Sequence, residues 1–202
     1  MACQEDTLYL MKFRKAFSLG NFILEFVQSI VLALSVFVLL YLFVAQPNQV
    51  KGSSMVPNFT DGEYLLTDKL TYQFSTPARG DVVVFKAPAS EACAESECEY
   101  IKRVIGVGGD RVKVEGGQVY LNGNLLKQDF LPADFVSDPG SYCAEGEEVV
   151  VPEGEYLVFG DNRSHSRDGR EFGPIKKDLI VGRAFFKYWP TSALGLIPTI
   201  RF

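Results

Sequence analysis

A chain of 202 residues with a net charge of −5 and 47% hydrophobic residues has length for one or two domains. Its Lys and Arg form no stripe or cluster beyond the N-terminal tail, which argues against a nucleic-acid partner. The apolar residues are concentrated early in the chain.

The window Phe26 to Ala45 contains no charge, and only Gln28, Ser29, Ser35 and Tyr41 interrupt it. Twenty helical residues rise roughly 30 Å, the thickness of a bilayer hydrocarbon core. The run is longer than the hydrophobic region of a cleaved signal peptide, and bulky Phe43 stands two positions before Ala45 at its exit. We therefore expect a tail over 1–25, a single transmembrane helix over 26–46 and a soluble domain over 47–202. Lys12, Arg14 and Lys15 precede the span and only Lys51 closely follows it. That bias predicts a cytoplasmic N-terminus and a C-terminal domain on the outer face.

Pro47 and Asn48 are expected to break the helix. From Gly52 onward the texture changes: seventeen of the eighteen glycines lie there, and the apolar runs shorten. Strands are expected at 64–67, 81–85, 100–107, 111–114, 118–121, 125–126, 156–159 and 180–189, with Asn122-Gly123 as a hairpin signal. No helical period stands out after residue 50. The soluble part should be mainly β, a barrel or sandwich of antiparallel hairpins, with Leu131–Glu148 a polar surface excursion. Cys93 and Cys98 lie in an acidic loop and are candidates for a disulfide in an oxidising compartment. Zinc is the alternative there, although it wants further Cys or His ligands nearby.

Three segments could carry chemistry. Gly52-Ser53-Ser54-Met55-Val56-Pro57 is a turn with adjacent hydroxyls, and Ser54 is a candidate nucleophile that needs a base. His165, the only histidine, offers one base, although a lone His in a polar loop is ordinarily just solvated. Lys102 offers another. Strand period places it on one face with Tyr100 and Val104, and burial there favours a neutral amine. An edge-strand lysine that discourages aggregation explains the same residue. The third segment, Gly160 to Arg170, packs Asp161, Asn162, Arg163, Ser166, Asp168 and Arg170 behind an apolar strand. It reads as a hydrogen-bonded site loop or as an exposed polar turn. Calcium fits it poorly, because three arginines share the segment.

Taken together, these segments resemble bacterial type I signal peptidase, a membrane-anchored serine protease that removes signal peptides from exported proteins. Gly52–Pro57 is similar to its nucleophile box, and Gly62–Asp68 to the segment that follows. Arg79–Phe85 and Tyr100–Gly106 are similar to the boxes around a catalytic lysine, and Gly160–Arg170 to the last box. The order matches, over roughly 50–189 plus the anchor. The resemblance implies that 47–202 is an extracytoplasmic catalytic domain. Ser54 would attack the scissile carbonyl, Lys102 would be the general base and Ser166 would orient it. Arg103 with Asp161, and Asp168 with Arg170, would brace the site, while Met55 and Pro57 shape the nucleophile turn. Gln49, Val50, Gly52, Tyr100 and Ile101 would edge the substrate cleft. No metal or cofactor is implied. The implied partners are signal peptides with small residues before the cut, and the lipid bilayer of the plasma membrane. Gly52 stands where some members carry a hydroxyl, and Asn58 where many carry threonine. Two other readings are a Ser/Lys protease dedicated to a few pilus or conjugation substrates, and a non-enzymatic tethered β-domain.

Overall fold

The computed structural model describes residues 3–91 and 98–202, with side chains from Gly20 onward. The chain divides into two compact units, Met1–Val44 and Ala45–Phe202. The first unit is one helix, α1 (Cys3–Phe43). Within it, Gly20–Phe43 has a mean hydropathy of 2.5 and no buried position, so by length and composition it can cross a membrane. It ends three residues short of the expected exit at Gln46. The reason is local: Pro47 cannot continue a helix, and Ala45–Gln49 pairs instead with residues 64–68 as a strand.

The second unit is mainly β, as expected. Its strands are β1 (Ala45–Gln49), β2 (Tyr64–Asp68), β3 (Val82–Lys86), β4 (Glu99–Val107), β5 (Arg111–Glu115), β6 (Gln118–Leu121), β7 (Asn124–Leu125), β8 (Glu148–Val150), β9 (Glu155–Phe159), β10 (Ile175–Lys176), β11 (Ile180–Trp189) and β12 (Gly195–Leu196). Two one-turn helices, α2 (Thr71–Phe74) and α3 (Gly169–Phe172), interrupt them. These helices are too short to show a period, which is why sequence pattern missed them. One sheet runs β1-β2-β11-β3-β4-β9-β10, with β12 added to β11. The other runs β7-β6-β5-β8. All strand pairs within both sheets are antiparallel.

Alternation explains how the large sheet buries both faces. Along β3, Val82 and Val84 join one apolar cluster with Val50, Met55, Phe59 and Leu65, while Val83 and Phe85 join another with Val104, Tyr156 and Val158. Leu157 and Phe159 of β9 face the small sheet, where Val112, Val114, Val119 and Leu121 close a third cluster. A central strand buried on both faces reads as a continuous apolar run, and Asp81-Val-Val-Val-Phe85 does.

The excursion 131–148 is polar but does not lie on the surface throughout. Ser137 and Cys143 are wholly buried, and Cys143 belongs to the cluster under the small sheet. Hydrogen bonds to the main chain of Arg170 hold it there. Cys98 is disulfide-bonded; the expected partner, Cys93, lies outside the described residues.

Candidate active site

The geometry starts from Ser54. Residues 53–59 form a turn closed by Val56 N–H to Ser53 O and by Phe59 N–H to Met55 O. Met55 and Phe59 drive the turn into the core, with relative exposures of 0% and 2%, and so fix the height of Ser54. Asn162 docks the turn from the other side. Its main-chain N–H donates to Ser54 O at 3.0 Å and its side chain donates to Ser53 O at 3.0 Å. Asp161 N–H adds a 3.4 Å contact to Met55 Sδ.

Lys102 arrives from β4, opposite Val83 on β3. It is 4% exposed. Its Nζ donates to Ser54 Oγ at 2.7 Å and to Ile101 O at 3.0 Å, and lies 5.4 Å from the Tyr100 ring centre. Burial lowers its pKa from 10.5 to about 8, against the pull of the Asp168 and Asp161 carboxylates and with help from Arg170.

Those two carboxylates are already engaged. Arg103 forks onto Asp161 with Nε–Oδ1 at 2.8 Å and Nη2–Oδ2 at 2.7 Å, and both side chains are buried. Arg170 forks onto Asp168, with Nε–Oδ1 at 2.9 Å and Nη2–Oδ2 at 2.8 Å. Asp168 also caps α3 through Arg170 N–H and accepts Gly160 N–H at 2.8 Å. Such bidentate, charge-assisted pairs hold both the loop and β4 in place.

Three expected residues stand differently. The Ser166 hydroxyl is buried without a hydrogen-bond partner among the described residues; Lys102 is held by Ser54 and Ile101 instead. Ser166 nevertheless borders the site. A Cβ on Gly160 would stand 2.1 Å from Ser166 Oγ and 2.4 Å from Ser54 O, so only glycine lets the loop and the nucleophile turn approach this closely. Val50 is not an open cleft edge. It is 3% exposed, and its N–H and C=O are spent on Glu63 and Gly62. Gly52 is exposed, but its N–H is taken by Asp61 Oδ1 at 2.7 Å. Its φ of +84° suits glycine.

The other residues expected to edge a cleft are Gln49, Tyr100 and Ile101. Gln49 is exposed on β1, which among the described residues pairs only with β2 and leaves its other edge open. Tyr100 and Ile101 pair with β3, while β9 joins β4 only from Arg103 onward, so among the described residues the early part of β4 has an unpaired side. Glu99 bridges the two edges by accepting from Asn48 at 2.7 Å and from Gln46 at 3.2 Å. Pro57 is exposed and follows a cis peptide.

His165 is exposed and contacts its neighbour Ser164 at 2.9 Å; it does not reach Ser54. Sequence pattern gave no specific role to Asn58, whose amide donates to Asp161 Oδ2 at 2.9 Å, or to Asn162, which reaches Ser53 O. It also missed Glu91, which receives Arg167 Nε at 2.6 Å beside Ser166. Asparagine beside or within such a segment is an ordinary turn former, and only contacts remote in sequence show otherwise. A cavity of about 740 Å³ lies beyond Arg103, between Asn58, Phe130 and the C-terminal residues Leu194–Ile200, and does not include Ser54 or Lys102. Among the described residues, no group of three or more His, Cys, Asp or Glu side chains could hold a metal ion.

A serine hydroxyl held against a buried, desolvated amine is an arrangement able to support nucleophilic hydrolysis. The comparison with known proteins is specific: the family described as signal peptidase, peptidase S26, matches residues 23–189. A Synechocystis protein named "Probable signal peptidase I-2" is 34% identical over 86% of this chain and 77% of its own. Signal peptidase IB of Staphylococcus aureus (strain COL) is 35% identical over 84% of this chain and 91% of its own. A crystal structure of a signal peptidase I from Enterococcus faecalis has 31% identity and a TM-score of 0.43, covering 54% of this chain and 97% of that one. The chain belongs to the S26 signal peptidase family, and it is a serine endopeptidase that cleaves signal peptides.

Proposed function

We propose that Ser54 and Lys102 are the catalytic pair of this peptidase, and the 2.7 Å contact between Nζ and Oγ is the observation that carries the reading. The neutral amine accepts the Ser54 proton as Oγ attacks the scissile carbonyl. The tetrahedral oxyanion is met by the Ser54 main-chain N–H, a donor with no hydrogen bond of its own among the described residues. Lysine then delivers the proton to the leaving amine, the C–N bond breaks, and an ester to Ser54 remains. Water, deprotonated by the same amine, hydrolyses that ester and returns both groups to their starting state. Ser166 takes up the role of steering Lys102 by rotation of its buried hydroxyl. Met55 and Pro57 shape the turn, and the pairs Arg103–Asp161 and Asp168–Arg170 hold its surroundings.

The substrate lies in extended form against the unpaired side of β4 at Tyr100–Ile101, with Gln49 on the facing edge. The apolar helix crosses the plasma membrane, with 1–25 cytoplasmic, a span ending near Phe43 and the catalytic unit outside. Enzyme and signal peptide then share one membrane, which raises their effective concentration.

The test is preprotein cleavage in detergent by wild type, Ser54→Ala, Lys102→Ala and His165→Ala. Loss of turnover in the first two variants alone is expected. Near-normal turnover by Lys102→Ala sinks the pair.

A further inference from the structure

We infer that Asn58 is a positioning residue: its side-chain amide locks the nucleophile turn onto the Arg103–Asp161 pair and so sets the Ser54–Lys102 contact. The inference rests on the catalytic pair proposed above and adds a residue that the pair depends on.

The contact between Ser54 and Lys102 joins two pieces of chain that share no backbone ladder. Ser54 rides on the turn 53–59 and Lys102 on β4. Both are registered through a third piece, the loop after β9. Asn162 ties that loop to the turn by two bonds to main-chain carbonyls of Ser53 and Ser54. Arg103, the neighbour of Lys102, ties it to β4 through Asp161.

Asn58 closes the triangle directly. It lies on the same turn as Ser54, and its Nδ2 donates to Asp161 Oδ2 at 2.9 Å. The second Nδ2 proton goes to Phe130 O at 3.0 Å. Both partners are acceptors, so only the amide nitrogen, not the amide oxygen, satisfies this place. Phe130 in turn lays its ring 4.4 Å from the Arg103 guanidinium. One amide therefore holds the Asp161–Arg103 pair twice, at the carboxylate and through the ring that covers the cation. The backbone of Asn58 is pinned as well. Its carbonyl accepts Lys187 Nζ at 2.5 Å, and Lys187 is paired with Glu63 at 2.8 Å. A residue anchored at both backbone and side chain transmits a shift of the turn to Asp161 rather than absorbing it.

The experiment uses the full chain in detergent, with steady-state cleavage of a preprotein by Asn58→Leu, Asn58→Asp, Asn58→Thr and Lys102→Ala. Thermal unfolding of each variant reports folding. Asn58→Asp keeps the shape but sets an acceptor against Asp161. Asn58→Leu and Asn58→Asp are expected to lose about 10- to 100-fold in kcat with KM within about twofold, the scale of one hydrogen bond to a charged group. Asn58→Thr retains a hydroxyl donor and is expected to keep kcat within about threefold. A folded Asn58→Asp or Asn58→Leu with wild-type kcat, or with its loss confined to KM, overturns the inference. So does a folded Asn58→Thr whose kcat falls about tenfold or more below wild type, which decides the matter if the other two do not fold. Lys102→Ala separates the two levels. If it cleaves normally, the catalytic pair is wrong and this inference goes with it. If it is inactive while the Asn58 variants are fast, only the positioning role is lost.

Discussion

The proposed base, Lys102, can be titrated, and its burial sets where. Lys102 carries a pKa lowered from 10.5 to about 8 because the ammonium is stripped of water. At pH 7 about one molecule in ten then holds a neutral amine, against about one in three thousand for an unshifted lysine, a gain of about 300-fold in active enzyme. We expect kcat/KM for a preprotein to rise tenfold per pH unit below the inflection, bend near pH 8 and level off above it. The same burial predicts a stability effect of opposite use. In the folded chain Lys102 gives up its proton near pH 8, while in the unfolded chain it keeps it to about 10.5, so stability rises with pH across that window. Below it, the full cost of the buried ammonium is present, about 3 kcal/mol from the drop in pKa. Lys102→Met, close in shape and uncharged, should therefore be inactive yet more stable than wild type at pH 7, with the gap closing toward pH 10.5. Denaturant unfolding followed by the single tryptophan, Trp189, reads this directly. An inflection near 10.5 in the rate profile, or a Lys102→Met variant no more stable than wild type at pH 7, refutes the reasoning.

Three further outcomes follow from the same contacts. Arg103→Leu strands the Asp161 carboxylate in the interior; it should cost about 3–5 kcal/mol of stability. In any folded fraction it should also move the rate inflection upward, because an unopposed carboxylate favours the Lys102 ammonium. Gly160→Ala drives a methyl into Ser166 Oγ and Ser54 O, so cleavage should fall while signal-peptide binding, measured as KM, changes little. Cys143 is fully buried and its thiol pKa is pushed up to about 12, chiefly by burial, so alkylation should require unfolding and proceed slowly at pH 8 in the native protein.

Much of the soluble unit was legible because its strands carry two-residue alternation or a continuous β-branched run. Residues 118–121 and 180–189 fall where pattern put them. The strands that pattern missed have another origin. Ala45–Gln49 contains proline and no alternation, and it is a strand because it completes an edge on β2. Glu148–Val150, Ile175–Lys176 and Gly195–Leu196 are pairings of two or three residues made by tertiary contact alone. At the site, Ser54 and Lys102 stood out because a hydroxyl-rich turn and a lysine in an apolar strand are locally odd. Val50 could not be placed from sequence: the exposed Gln49 is followed directly by a position inside the core. Asn58 and Asn162 are locally ordinary and gain their meaning from partners roughly a hundred residues away in the chain.

The role proposed for Lys102 needs a neutral amine with two carboxylates close enough to favour its ammonium, and the arginines account for how. Each carboxylate spends both oxygens on a buried guanidinium, Asp161 on Arg103 and Asp168 on Arg170. Neutralised in pairs, they shape the loop without holding the proton on Lys102, and desolvation wins. The sequence places the two functions on adjacent residues of one strand. Lys102 needs no counter-ion, and Arg103 supplies one to the carboxylate that would otherwise become that counter-ion. Strand alternation sends the two side chains to opposite faces, so one short segment can hold a charged pair on one side and an uncharged base on the other.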